Sequence, residues 1–220
     1  MTQPTTADGG ICLNYGAGWD APSDWLNLDA SPVIRFERTP LLGRLYTKNA
    51  ARFPANVEYG DVVKGLDLTD DSVDLAFSSH VLEHLPREEG EQAIRETFRV
   101  LRPGGIFRIV VPDLETAVRR YIADLDADVA DANDRLLRKI IMGQERRARG
   151  LGSVLRGMFS NASHQWMWDE ASLNALLARH GFVDIRRAAF GDSADPRFRS
   201  VEREDRFRDA VALEARKPAL

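Results

Sequence analysis

Two glycines and an acid come first among the residues that could do chemistry. The stretch LNYGAGWDAPSDWLNLDAS (Leu13–Ser31) runs an apolar segment into Gly16 and Gly18. Asp29 follows eleven residues after Gly18, at the end of a second apolar segment. A glycine turn after one strand and an acid after the next can open a nucleotide-binding site, but a plain turn between strands has the same appearance. Asp61 in YGDV, and Ser78, Ser79 and His80 at the start of SSHVLEHL, add polar groups at what read as strand ends. Histidine is the side chain whose ordinary pKa lies nearest working pH, so His80 and the later His164 are candidate proton acceptors.

The elements that must position these residues alternate between strand-like and helix-like, which implies an α/β fold with a mostly parallel sheet. Strands are predicted at Ile11–Tyr15, Trp25–Asp29, within Asn56–Val62, at Ser72–Ser79 and at Ile106–Asp113. Only the nine residues Gly16–Asp24 separate the first two, so any helix there must be short or irregular. Residues 33–53 read as partly helical. Pro86 followed by Glu88, Glu89 and Glu91 suits the first turn of a helix. Ala93, Ile94, Phe98 and Leu101 recur on its core face, and RPGG (Arg102–Gly105) is expected to stop it. From Leu114 to about Gly150 the pattern is helical and charged. A later helix takes Asp169 as N-cap and Gly181 as C′ residue. Val183–Phe190 and Asp209–Arg216 are the last strands, expected as an antiparallel hairpin at the sheet edge, with a polar loop between them.

The chain has 220 residues, 44% hydrophobic and 29% charged, with a net charge of -4. That is enough for a substantial core, and it gives no global attraction to nucleic acid or anionic membrane. Cys12 is the single cysteine, so no disulfide can form within the chain, which fits a reducing cytoplasm. No stretch approaches the roughly 20 apolar residues of a membrane span, and MTQPTTADGG lacks a secretory pattern. A cytoplasmic location is expected, with one domain over residues 1–220.

Taken in order, the glycine loop, the acids after strands two and three, and SVDLAFSSHVLEHLPREEGEQAIRETFRVLRPGGIFRIVVPD resemble a class I S-adenosylmethionine-dependent methyltransferase. The resemblance runs from about Ile11 to Arg216, and is nearest to small bacterial methyltransferases whose loop reads LNLGCG. It implies a Rossmann-like, doubly wound, seven-stranded and mostly parallel sheet with an antiparallel last strand, in three α/β/α layers. It also implies S-adenosylmethionine as cofactor. By the same resemblance the loop Asn14, Tyr15, Gly16, Ala17 and Gly18 borders the methionine part and Asp29 takes the ribose hydroxyls. Asp61 takes the adenine amino group beside the Val62 N–H, and Ser78 and Ser79 lie at the carboxyl end of strand four. Asn14 stands where the family usually has an acid, and Ala17 where it usually has cysteine. The short gap before Asp29 is expected to leave one wall of the site open.

Methyl transfer asks the protein mainly for positioning, with a general base if the acceptor is a hydroxyl. His80, His164 and Asp113 are the candidates; Asp113 reads equally well as a helix cap, and His84 as a structural partner. No metal site is expected. HVLEH (His80–His84) lacks the His-Glu-x-x-His order, and a magnesium site at Asp113 is a minor alternative. A lid-like helical insertion at about 114–165 carries Arg135, Arg138, Lys139, Arg146, Arg147, Arg149 and Arg156. These could meet an anionic acceptor, line a homodimer surface, or simply be solvated. Trp166 and Trp168 could stack on a sugar or belong to the core. The expected activity is O-methylation of a saccharide or another small-metabolite hydroxyl, without a nucleic-acid or membrane partner. N- or carboxyl methylation and a catalytically silent cofactor-binding protein are the alternatives. A nicotinamide reductase would want a third loop glycine where Ala21 stands.

Overall fold

The computed structural model of the protein describes residues 10–39, 52–142 and 163–219. Arg146, Arg147, Arg149 and Arg156 lie outside the described residues. Seven strands form one sheet: β1 (Ile11–Tyr15), β2 (Leu26–Asp29), β3 (Val57–Tyr59), β4 (Val73–Ser79), β5 (Leu101–Pro112), β6 (Val183–Arg187) and β7 (Ala210–Arg216). Their spatial order is β3-β2-β1-β4-β5-β7-β6, and β7 alone runs antiparallel to its neighbours. The predicted hairpin therefore exists, with β7 inserted beside β5 and β6 at the edge. The order reverses between β1 and β4, and in such sheets a crevice opens at the carboxyl ends there.

One sheet face buries a large apolar core against α2 (Arg87–Val100) and α5 (Glu170–Arg179). Helix α2 places Ala93 and Ile94 in this core as its periodicity requires. It ends at Val100, and β5 begins at once with Leu101, so Arg102–Gly105 belong to the strand instead of forming a separate stop. The chain can turn within the strand because Gly104 takes a left-handed φ of 78° while its N–H bonds Lys217 O. Helix α5 opens with a full capping box between Asp169 and Ser172, and Gly181 follows it at φ 91°. The charged region after β5 contains α3 (Leu114–Asp126) and α4 (Ala132–Lys139).

The opposite face is covered differently. The short α1 (Pro32–Glu37) packs Ile34 against Val57 near the β3 edge. No helix lies between β1 and β2. An arm from residues 188–207, with two 3₁₀ turns at Pro196–Ser200 and Glu204–Phe207, takes that place. Phe198 packs on Trp25 with ring centroids 5.6 Å apart, and Trp25 Nε1 donates to Ser200 Oγ at 2.9 Å.

Beneath this cover a row that is polar except at Phe77 crosses the sheet in register: Asn27, Asn14, Phe77, Arg108, Glu214 and Arg186. The row satisfies itself laterally. Asn14 Nδ2 donates to Asn27 Oδ1 at 2.9 Å, Arg108 pairs with Glu214 at 2.7 Å, and Arg186 with Glu214 at 2.9 Å. Arg108, 1% exposed, also pairs with Glu202 at 2.5 Å and Asp192 at 3.0 Å, both on the arm. Burial opposes its charge, but these carboxylates more than offset that and hold its pKa above the ordinary value. A buried ion network thus fastens the arm to the sheet.

Candidate functional site

The glycine loop leaves β1 in the left-handed region, with φ of 72° at Gly16 and 54° at Gly18. The two glycines serve different needs. A Cβ on Gly16 would meet Val81 Cγ2 at 2.1 Å, so that glycine lets the turn after β4 close against the loop. A Cβ on Gly18 would meet nothing within 4 Å, so that position faces open space and is constrained by its backbone alone. Asp29, half-buried at the end of β2, organises the loop. Its Oδ2 accepts the Gly18 N–H at 3.0 Å and its Oδ1 the Ser31 N–H at 2.8 Å. Each carboxylate oxygen keeps a further lone pair, and Asp29 lies between two grooves without lining either.

Two grooves flank this point. One, of about 160 Å³, lies at the carboxyl ends of β1 and β4. Asn14, Gly16, Ala17, Gly18, Trp19, Asp20, Phe77, Ser79 and His80 line it from the sheet side. The arm closes it with Val201, Arg203 and Arg206. The other, of about 660 Å³, runs past β3 over Leu28, Tyr59, Asp61 and Leu66, with Arg35 stacked 3.7 Å from the Tyr59 ring centroid. Asp61 lines it, accepting the Val63 N–H at 3.1 Å and pairing with Lys64 at 2.5 Å, while Val62 is buried beneath. A crevice with a glycine cradle, an acid with spare acceptors and a second acid beyond it fits S-adenosylmethionine. The loop would border the methionyl part, Asp29 the ribose, and Asp61 with Val62 the base.

Several expected residues sit elsewhere. Tyr15 and Ser78 are 2% and 1% exposed and face the helical core. Tyr15 accepts a bond from Thr97 there, so neither side chain reaches the grooves. Asp113 caps α3. One oxygen accepts the Glu115 N–H at 3.0 Å and the other the Thr116 hydroxyl at 2.6 Å, so it serves as a cap, and it lines neither groove. His164 is 7% exposed and lies against His84, outside both grooves. Burial and the neighbouring His84 lower its pKa. Trp168 is core, whereas Trp166 is exposed with Arg87 over its ring. Arg135 and Lys139 pair with Asp131 and Asp209, away from the grooves.

His80 is the one candidate base on the groove wall. It takes φ 56°, a conformation that lets the chain leave β4 sharply, and its N–H bonds Val110 O at 2.8 Å. Its Nδ1 lies 3.2 Å from Ser79 Oγ. Burial, then the charge of Arg206, push its pKa down to about 4, so the imidazole is neutral at working pH. Arg203 and Arg206 went unnoticed in the sequence because a polar loop of alternating charge reads as solvated. Only the fold brings them to Asp20, at 2.9 Å and 3.8 Å. The density of arginine between residues 197 and 208 was the available signal.

Comparison with known proteins agrees with this geometry. Residues 13–109 match the family model of a methyltransferase domain. A Mycolicibacterium smegmatis protein described as a "probable S-adenosylmethionine-dependent methyltransferase" is 41% identical over 64 residues, 29% of this chain and 24% of its own. A 37.1 kDa protein of a Streptomyces fradiae transposon is 35% identical over 144 residues, 62% of this chain and 41% of its own. The chain thus spans less than half the length of these relatives. An Archaeoglobus fulgidus SAM-dependent methyltransferase superposes with TM-score 0.47 at 14% identity, over 94% of this chain and 86% of that one. Residues 13–109, which run through most of β1 to β5, are thus similar to a methyltransferase domain, within a seven-stranded sheet in which β7 runs antiparallel to its neighbours.

Proposed function

We propose that the protein methylates a hydroxyl of a small polar acceptor, of which a saccharide is the leading class, with His80 as general base. The observation that carries this reading is a neutral imidazole on the groove wall beside Gly16 and Gly18. S-adenosylmethionine, when bound, supplies a methyl group on a sulfonium whose sulfur departs as a neutral thioether and so needs no acid. The protein's remaining task is to hold the acceptor oxygen in line and take its proton. Ser79 fixes one nitrogen of His80, and the other receives the proton as the oxygen acquires its new bond. A base of low pKa suffices, because the acceptor O–H becomes strongly acidic as that bond forms. Arg203 and Arg206 favour an acceptor, or a cofactor end, that carries negative charge at the groove mouth.

Exposed Trp166 beside Arg87 offers an aromatic face on which a sugar can stack, though it lines neither groove. Transfer to nitrogen or carboxylate is the second reading, favoured if His80 proves dispensable. The test is calorimetric titration of S-adenosylmethionine into wild type and Asp29→Ala, followed by turnover of sugar acceptors with wild type and His80→Ala. Cofactor binding lost in Asp29→Ala, with turnover lost in His80→Ala, supports the proposal. Absence of cofactor binding to wild type sinks it.

A further inference from the structure

We propose that Glu83, His84 and His164 form a binding site for a divalent transition-metal ion of the zinc class, clamping the segment before α5 onto the turn after β4. One ligand atom from each of the three residues lies within 4.8 Å of those of the other two. One carboxylate and two imidazoles are donors that zinc and its first-row neighbours accept, whereas magnesium and calcium prefer all-oxygen shells.

The cluster is buried in a way that calls for a ligand. Glu83 is 0% exposed, and neither of its carboxylate oxygens has a hydrogen-bond partner. His164 is 7% exposed and its Nδ1 also lacks one. His84 Nε2 comes within 3.9 Å of Glu83 Oε1, too far for a hydrogen bond, and a buried carboxylate with no hydrogen bond is costly and uncommon. A cation at the cluster would satisfy it.

The backbone already holds the parts together without the three side chains. The Glu83 carbonyl accepts the N–H groups of Gln165 at 2.6 Å and Trp166 at 3.3 Å, and Gln165 Nε2 donates to His84 O at 2.8 Å. The His84 and His164 rings meet edge to face with centroids 5.0 Å apart. Tetrahedral zinc with bonds of about 2.05 Å sets its donors roughly 3.3 Å apart. Side-chain rotation on this fixed frame can supply that contraction, and water would take the fourth position. None of the three residues lines either groove, so the ion would hold the Trp166 segment in place and leave the methyl-transfer chemistry to the groove. The pairing of His80 with His84 in the sequence pointed away from this set, which needs a histidine eighty residues after His84.

The test uses the full chain without an affinity tag, stripped by chelator and dialysed. Zn²⁺ is titrated calorimetrically, and Co²⁺ serves as a spectroscopic probe. One ion per chain in the micromolar range or tighter is expected, with the visible bands of a four-coordinate cobalt site. Affinity should drop at least tenfold in Glu83→Gln and in His164→Ala. Circular dichroism establishes which variants fold; if Glu83→Gln does not, His164→Ala decides. Failure of either ion to bind wild type saturably, or wild-type affinity in a folded variant, overturns the proposal.

Discussion

At the scale of single residues, the site depends on groups that do two things at once. Asp29 holds the Gly18 and Ser31 amides and keeps a further lone pair on each oxygen. Asp29→Ala should therefore weaken S-adenosylmethionine by more than tenfold, measured by calorimetry, and also lower stability by about 1–3 kcal/mol through the orphaned amides. His80 gives a pH signature. Its folded pKa of about 4 lies below the ordinary 6.5, so as pH falls the unfolded chain takes the proton first. Stability should then decline between pH 6.5 and 4, by roughly 3 kcal/mol at most, and His80→Asn should flatten that decline in urea titrations. The cofactor roles of Gly18 and Asp29 came only from the family resemblance, whereas the strand-end positions of Gly18, Asp29 and His80 were legible from type and spacing. Ser78 was not, since the two-residue alternation of a strand decides which of two adjacent serines faces the core.

At the scale of elements, the strands and long helices follow from apolar periodicity, and their ends follow from capping chemistry. The Asp169 capping box offers a clean check. Asp169→Ala should cost about 1 kcal/mol in thermal or urea unfolding, with S-adenosylmethionine affinity unchanged, because no residue of α5 lines either groove. Asp113 shows the limit of such reading: a strand-end acid at the sheet's carboxyl edge looks catalytic until its oxygens are found on Glu115 and Thr116. The start of β5 was misplaced for a related reason. RPGG carries every local mark of a helix stop, yet its flanks Leu101 and Ile106 pair with β4 and its glycines bond Lys217, which draws it into the sheet. The length between β1 and β2 left room for at most a short or irregular helix, and the structure has none there. What takes its place was not readable, because the 188–207 arm has no periodicity and is held by ion pairs with distant strands.

At the scale of the whole molecule, Arg108 carries the connection between arm and sheet. Arg108→Leu leaves Glu214 and Glu202 buried beside an apolar side chain, and should lower stability by about 3–5 kcal/mol in urea unfolding. Replacing both acids as well should recover much of that loss, since an absent network costs less than a broken one.

The arm also sets when the site comes into being. Its contact from Ser200 to Trp25 spans 175 positions, and the groove wall of Val201, Arg203 and Arg206 comes from the same late stretch. A ribosome making this chain finishes the glycine loop and Asp29 early, yet cannot assemble the groove they serve until almost the last strand has emerged. Loop closure over that separation is slow compared with local helix formation. Nascent chains should gain the ability to retain S-adenosylmethionine only once the 188–207 arm has emerged, so cofactor capture would report that the arm has docked.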